Sequence, residues 1–190
     1  MGLHSALLIS HAEKGLEEII ALLRKLSVGK IDIAKTCGEG RRKAMNCPYD
    51  LYIIDTPVYT ESGEGLALEL VASDTSQVIM MVQNDQFARL CHKVEDAGVL
   101  TVPKPMNKTL IYLTLKLAKA SWARLQAVQK QKVTLNQKMQ DMKIVARAKC
   151  ILISQFKMTE IEAHKYIEKE AMNARKGKRE IAERILRTYE

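Results

Sequence analysis

From Asn107 to Arg147 the chain contains neither glycine nor proline. A run of about forty residues without a breaker predicts one continuous helix, and a helix of that length cannot bury itself inside a small domain. Whatever folds upstream and downstream must therefore be organised around it. The 190 residues leave room for one or two domains. No apolar run approaches the roughly 18 residues a membrane span requires, so no membrane is expected among the partners.

Charge divides the chain at the same place. Residues 1–103 carry 10 Lys and Arg against 14 Asp and Glu, whereas residues 104–190 carry 20 against 8, which accounts for the net +8. A mildly acidic first part joined to a strongly basic helical part points to a polyanion-binding end. A lysine-rich solvated helix surface is the bland alternative.

The first hundred residues alternate short apolar runs with helical periodicity. Ala6–Ile9, Ile31–Ala34, Leu51–Ile54, Val78–Val82 and Val99–Val102 read as strands buried on both faces. Helices are expected over Glu13–Leu26, Gly40–Met45, Gly65–Ala72 and Phe87–Ala97. Five strands alternating with helices predict α/β architecture, a (βα)5 doubly wound parallel sheet, whose functional crevice lies beyond the carboxyl ends of its strands. Three of those ends are polar: Asp55, then Gln83-Asn84-Asp85, then Lys104-Pro105. Leu110, Leu113 and Leu117 have the spacing to pack the long helix on this sheet.

The strand order, the run Tyr49-Asp50-Leu51-Tyr52-Ile53-Ile54-Asp55 and the closing Lys104-Pro105 resemble the receiver domain of bacterial two-component response regulators. The resemblance places Asp55 at the phosphoacceptor position and Lys104 at that of the phosphate-neutralising lysine. Receivers hold Mg²⁺ with a pair of acids just after strand one, because a metal must bridge aspartate and phosphate oxygens. Ser10 and His11 stand at those positions. Val82 falls where the family has Thr or Ser at the end of strand four, and Thr101 or Val102 where it has an aromatic on strand five. These departures predict a degenerate receiver, not phosphorylated in the usual Mg²⁺-dependent way. A plain strand-end acid paired with Lys104 is the competing reading of Asp55.

Along the long helix, Leu125, Val128, Leu135, Met139 and Met142 follow steps of three and four when Lys132 fills the gap. Such a seam predicts a coiled coil and a parallel homodimer. Packing of the same stripe on the chain's own tail is the rival arrangement. Downstream, Thr159 ahead of Glu160 and Glu162 is an N-cap signal, and Arg175-Lys176-Gly177 reads as a helix end with a glycine stop. The tail is thus a three-helix hairpin.

Ala148-Lys149, Ile151-Leu152, Glu162-Ala163, Glu170-Ala171-Met172 with Arg175, and Ile181-Ala182 with Ile185-Leu186 resemble the ANTAR domain, the RNA-binding module of transcription antitermination regulators. Cys150 stands where that family has a glycine, and Glu168 where it has an arginine. The resemblance implies binding to paired stem-loops in mRNA leaders. Cations for the phosphates would come from Arg147, Lys149, Lys165, Lys169, Arg175, Lys176 and Lys178, with Asn173 as a polar contact. Tyr166 is the aromatic available for stacking, although its spacing suits the core better.

The expected layout is a receiver-like domain over residues 1–120, a dimerisation helix over 121–147 and ANTAR helices over 148–190. A DNA-binding response regulator is the first alternative. It is opposed by Glu160 and Glu162, which open the second tail helix where a recognition helix wants Arg, Asn or Gln. A protein-interaction adaptor assembled by the coiled coil is the second. A regulatory protein or kinase would be a further partner. No Gly-rich phosphate loop, nucleophile–base pair or metal cluster stands out, so neither an enzyme nor a cofactor is expected. The four scattered cysteines read as reduced thiols in a cytoplasmic protein.

Overall fold

In a computed structural model of the chain, residues 3–13, 15–73, 76–105 and 107–189 are described. The elements are β1 Ser5–Ile9, α1 Leu16–Lys25, β2 Lys30–Ala34, α2 Cys37–Asn46, β3 Leu51–Asp55, α3 Glu64–Ser73, β4 Gln77–Gln83, α4 Asn84–Val94, β5 Leu100–Lys104, α5 Lys108–Phe156, α6 Glu160–Ala174 and α7 Lys178–Tyr189. They divide into two units, Met1–Ala127 and Val128–Glu190, with α5 contributing to both.

The first unit is a five-stranded sheet in the order β2-β1-β3-β4-β5, every pairing parallel. The continuous apolar runs produce this arrangement, because both faces of each central strand need cover. Leu7, Ile9, Tyr52, Ile54, Val78 and Met80 face one way, under α2, α3 and α4. Ala6, Leu8, Leu51, Ile53, Ile79 and Met81 face the other, under α1 and α5. Asp50 fixes the edge where the sheet begins: its Oδ2 accepts the backbone N–H groups of His4 at 2.7 Å and Ser5 at 3.0 Å.

The α5 helix is fastened by Ile111, Leu115, Ala118 and Trp122, all buried. The expected set, Leu110, Leu113 and Leu117, is exposed instead. Both sets have helical spacing, and moving by one residue turns the face through about 100°. Spacing alone therefore could not choose between them; the larger Trp122 anchor decides.

Boundaries moved where a cap governs them. α2 begins at Cys37, three residues before the expected start, because the Thr36 hydroxyl accepts the Glu39 N–H at 3.1 Å. Gly40 lies inside that helix, where a Cβ would come 3.1 Å from Ile9 Cγ1, so the glycine serves close helix–strand approach. α4 starts at Asn84 and ends at Val94, so Asn84 and Asp85 form a helical first turn, not a strand-end loop.

The second unit has its own core, made by Ala148 and Leu152 of α5, Ala163, Ile167 and Ala171 of α6, and Ile181, Ala182 and Ile185 of α7. α5 continues past Arg147 to Phe156, so the first helix of the terminal bundle is the end of the long helix. α6 opens on a capping box in which Thr159 and Glu162 satisfy each other's backbone N–H groups. The stop after α6 is Arg175, which adopts the left-handed conformation at φ 51°, while the N–H of Lys176 reaches back to Ala171 at 3.0 Å. Gly177, the expected stop, instead leads into α7 and accepts the Glu180 N–H.

Candidate functional sites: a sealed carboxylate and a basic helical surface

The first site lies at the carboxyl ends of β1, β3 and β5. Asp55 ends β3 and its Oδ1 is ion-paired with the Lys104 ammonium at the end of β5. The Ser10 hydroxyl lies 2.8 Å from Asp55 Oδ2 and 2.9 Å from the Ala12 carbonyl, so its single proton is shared between two acceptors. Lys104 also donates to the Thr56 carbonyl at 2.5 Å. Ser10 is buried, and the Asp55 side chain is only 12% exposed. His11 turns away to an edge-on contact with Tyr59, ring centroids 5.1 Å apart.

The structure thus brings together Ser10, Asp55 and Lys104, and leaves His11 outside the cluster. Asp55 is the one carboxylate of this cluster, and Ser10 and His11 supply no second acid beside it, so the cluster offers Mg²⁺ fewer oxygen ligands than a pair of acids would. Among the described residues no group of three or more His, Cys, Asp or Glu side chains is placed to hold a metal. At the end of β4 the strand runs one residue beyond Val82. Gln83, exposed, is paired in register with Lys104, and Val82 is buried, so Gln83 rather than Val82 marks that strand end.

The second site is the surface of the terminal helices. Sequence reasoning grouped its cations together; the structure sorts them. Lys149 is paired with Glu160, Lys178 with Glu168 at 2.6 Å, and Lys176 with Glu180 at 3.2 Å. Lys149 and Lys178 do line one groove of about 510 Å³, together with Val145, Ala146, His164 and Arg179, but Arg179 is held there by Asp141 and Glu183. Glu168 takes His164 as well as Lys178. Hydrogen bonding from Lys178 holds the Glu168 carboxyl below the ordinary carboxylate range, as Lys149 does for Glu160.

By contrast Lys165, Lys169 and Arg175 pair with no acid among the described residues, and all three are exposed. Lys165 and Lys169 are one turn apart on α6, and Asn173 is exposed on the same helix. Tyr166 is 41% exposed rather than in the core, where Ile167 sits instead. Met172, 78% exposed, and Ile161, 65% exposed, add apolar surface among these cations. Of the seam residues, Leu125, Val128, Leu135, Met139 and Met142 are all exposed in the single chain.

A parallel 2-1-3-4-5 sheet with aspartate and lysine at its strand ends is a receiver-like fold, and a basic helical bundle follows it. Residues 134–186 match the ANTAR domain, so the chain carries an ANTAR domain in its helical part. The match begins within the segment expected to be the dimerisation helix. Among curated proteins the chain is similar to the transcriptional regulatory protein PdtaR of Mycobacterium tuberculosis, 27% identical over 140 residues, covering 73% of this chain and 68% of that protein. Solved structures with the receiver fold include a two-component transcriptional regulator AraC from Clostridium phytofermentans ISDg. It has a TM-score of 0.59 at 20% identity, covering 65% of this chain and 98% of that one. A response regulator receiver domain protein from Clostridium thermocellum aligns with a TM-score of 0.56 at 17% identity, covering 66% and 99%.

Proposed function

We propose that this protein is an RNA-binding transcription antitermination regulator which binds paired stem-loops of a nascent mRNA leader as a homodimer. The observation that carries the reading is the α6 surface inside the ANTAR match, where unpaired cations interleave with exposed Tyr166 and Met172. Splayed loop bases need flat or apolar surface to stack on, and their phosphates need cations that no acid has already claimed. Lys165, Lys169 and Arg175 therefore carry more of the contact than Lys149, Lys176 and Lys178, whose charges are spent within the fold. Arg147 and Asn173 complete the candidate set.

Dimerisation runs through Leu125, Val128, Leu135, Met139 and Met142, whose exposed side chains gain burial only from a second chain or another partner. In this reading residues 1–120 form the receiver, 121–147 the dimerising segment and 148–190 the RNA-binding helices. The protein acts as a regulator rather than an enzyme, in the cytoplasm where nascent transcripts are found. Asp55 is not phosphorylated in the usual Mg²⁺-dependent way, since Ser10 and His11 put no second acid beside it to hold the metal. A regulatory protein or kinase that acts on the first unit would then do so by contact.

The test is a salt-dependent titration of the full chain against a tandem RNA stem-loop, an unstructured RNA and duplex DNA of equal length. Selective stem-loop binding without a phosphoryl donor is expected. With about six phosphates neutralised, log K should fall against log salt with a slope near −4. Lys165→Ala and Lys169→Ala should weaken binding more than Lys149→Ala. Equal weak binding to all three nucleic acids would leave a generic cationic surface, preference for the duplex would favour a DNA-binding regulator, and binding that needs a phosphoryl donor would overturn the phosphorylation-independent reading.

A further inference from the structure

Beside the sealed carboxylate the first unit contains a cavity of about 360 Å³, within the size range of small-molecule sites. Its apolar lining comes from Leu16 and Ile19 of α1 and Met81 of β4, and its charged lining from Asp55, Lys104 and Glu18. Glu18 is itself ion-paired at 3.0 Å with Lys108, at the start of α5. Each described acid of the lining thus has its own cation.

That balance decides what the cavity can take. An anion such as phosphate would meet Lys104 only in company with Asp55 and Glu18, and a bare cation would find Asp55 already held by Lys104 and Ser10. Either ion would leave a charge without a partner in a partly apolar space, which is costly. Hydrogen-bonding capacity does remain. The Lys104 ammonium has three N–H groups, of which two serve Asp55 and the Thr56 carbonyl, and the Asp55 oxygens can each accept one further hydrogen bond.

We propose that this cavity binds a small molecule of no net charge, with a dipolar head set against Lys104 and Asp55 and an aliphatic body against Leu16, Ile19 and Met81. The head supplies an acceptor for the third Lys104 N–H and a donor for Asp55; an amino-acid zwitterion and a primary amide both have that chemistry. A body of about leucine size fills the apolar part. The site occupies the place where a phosphoryl group acts in receivers, and it is independent of the RNA reading above.

Uniformly ¹⁵N-labelled full-length protein would be titrated with L-leucine, with 4-methylpentanamide, and with the charged controls 4-methylpentanoate and isopentylamine. Saturable amide shifts at Ala12, Gly15, Leu16, Ile19 and Met81 are expected with leucine, the amide or both. Which of the two binds tells a zwitterionic from an uncharged head. Each single ion should bind at least about tenfold more weakly. Leu16→Trp, at a half-buried position, should fill the cavity and abolish the shifts, and Lys104→Gln, which leaves the Asp55 carboxylate without its cation and lowers the thermal midpoint, should weaken leucine binding about tenfold at a temperature where the variant is folded. The proposal is overturned if neither uncharged probe gives saturable shifts up to about 10 mM. It is equally overturned if the shifts survive Leu16→Trp, or if an ion binds as tightly as the dipolar probes.

Discussion

Arg175 does two jobs that a single substitution can separate. Its left-handed backbone ends α6, a conformation that costs a non-glycine residue about 1 kcal/mol or more, and its guanidinium is one of the unpaired cations of the proposed RNA surface. Arg175→Gly should leave the second unit as stable or raise its thermal midpoint by a few degrees, while lowering RNA affinity several-fold. Calorimetry and a filter-binding titration on the same variant would read the two effects. Loss of both stability and binding would mean that the side chain, not the backbone, holds the turn. At this scale the sequence was least legible. The Arg175-Lys176-Gly177 run announced a helix end, but which residue takes the positive φ depends on where α7 must begin. Likewise the pairing of Lys149 and Lys178 with acids, and the freedom of Lys165 and Lys169, follow from which residues face one another across the helices, whereas Lys176 and Glu180 are a local pair four residues apart. Ser10, Asp55 and Lys104 were legible as positions because strand ends follow from the apolar runs; their mutual sealing was not, since it requires the sheet order, with β1 beside β3 and β5 one strand further on past β4.

Among the elements, α5 shows how far periodicity carries. Its continuity was readable from the absence of breakers, and the apolar runs fixed the five strands to within a residue or two. Which stripe faces the sheet was not readable, because Leu110, Leu113 and Leu117 and the buried set beginning at Ile111 are both apolar at helical spacing. The exposure difference gives a direct check. Trp122→Ala should destabilise the first unit by about 3–5 kcal/mol, whereas Leu113→Ala, at an exposed position, should change it by less than about 0.5 kcal/mol. Urea denaturation followed by the amide circular dichroism signal would compare them. Comparable losses in both variants would place the wrong stripe against the sheet. The α6 N-cap was legible from Thr159 ahead of Glu160 and Glu162, because a cap is a local device whose partners lie within one turn; that Glu162 reaches back to complete a capping box is seen in the structure.

Across the whole molecule, the charge asymmetry visible in the sequence becomes two different electrostatic behaviours. The second unit depends on carboxylates tied to local donors: Lys149 holds Glu160, the Thr159 cap holds Glu162, and Lys178 holds Glu168, each below the ordinary carboxyl value of 4.5. A carboxyl whose folded pKa is depressed contributes stability in full above its unfolded value, and that contribution fades as pH falls through the depressed folded value. Hydrogen exchange of the α6 and α7 amides should therefore be unchanged from pH 7 to about 5 and accelerate below about pH 4, beyond the intrinsic pH effect. Protection that holds flat to pH 2 would show that these pairs contribute nothing. In the first unit the arrangement at Asp55 has another consequence, for how readily such a protein can change its input. The backbone places an acid and a lysine at the ends of β3 and β5, on either side of β4, and the two side chains that depart from the metal-binding pattern, Ser10 and His11, directly follow β1. A change of input at this end of the sheet is thus a matter of a few codons at strand ends, Ser10, His11 and Gln83 among them, on an unaltered scaffold.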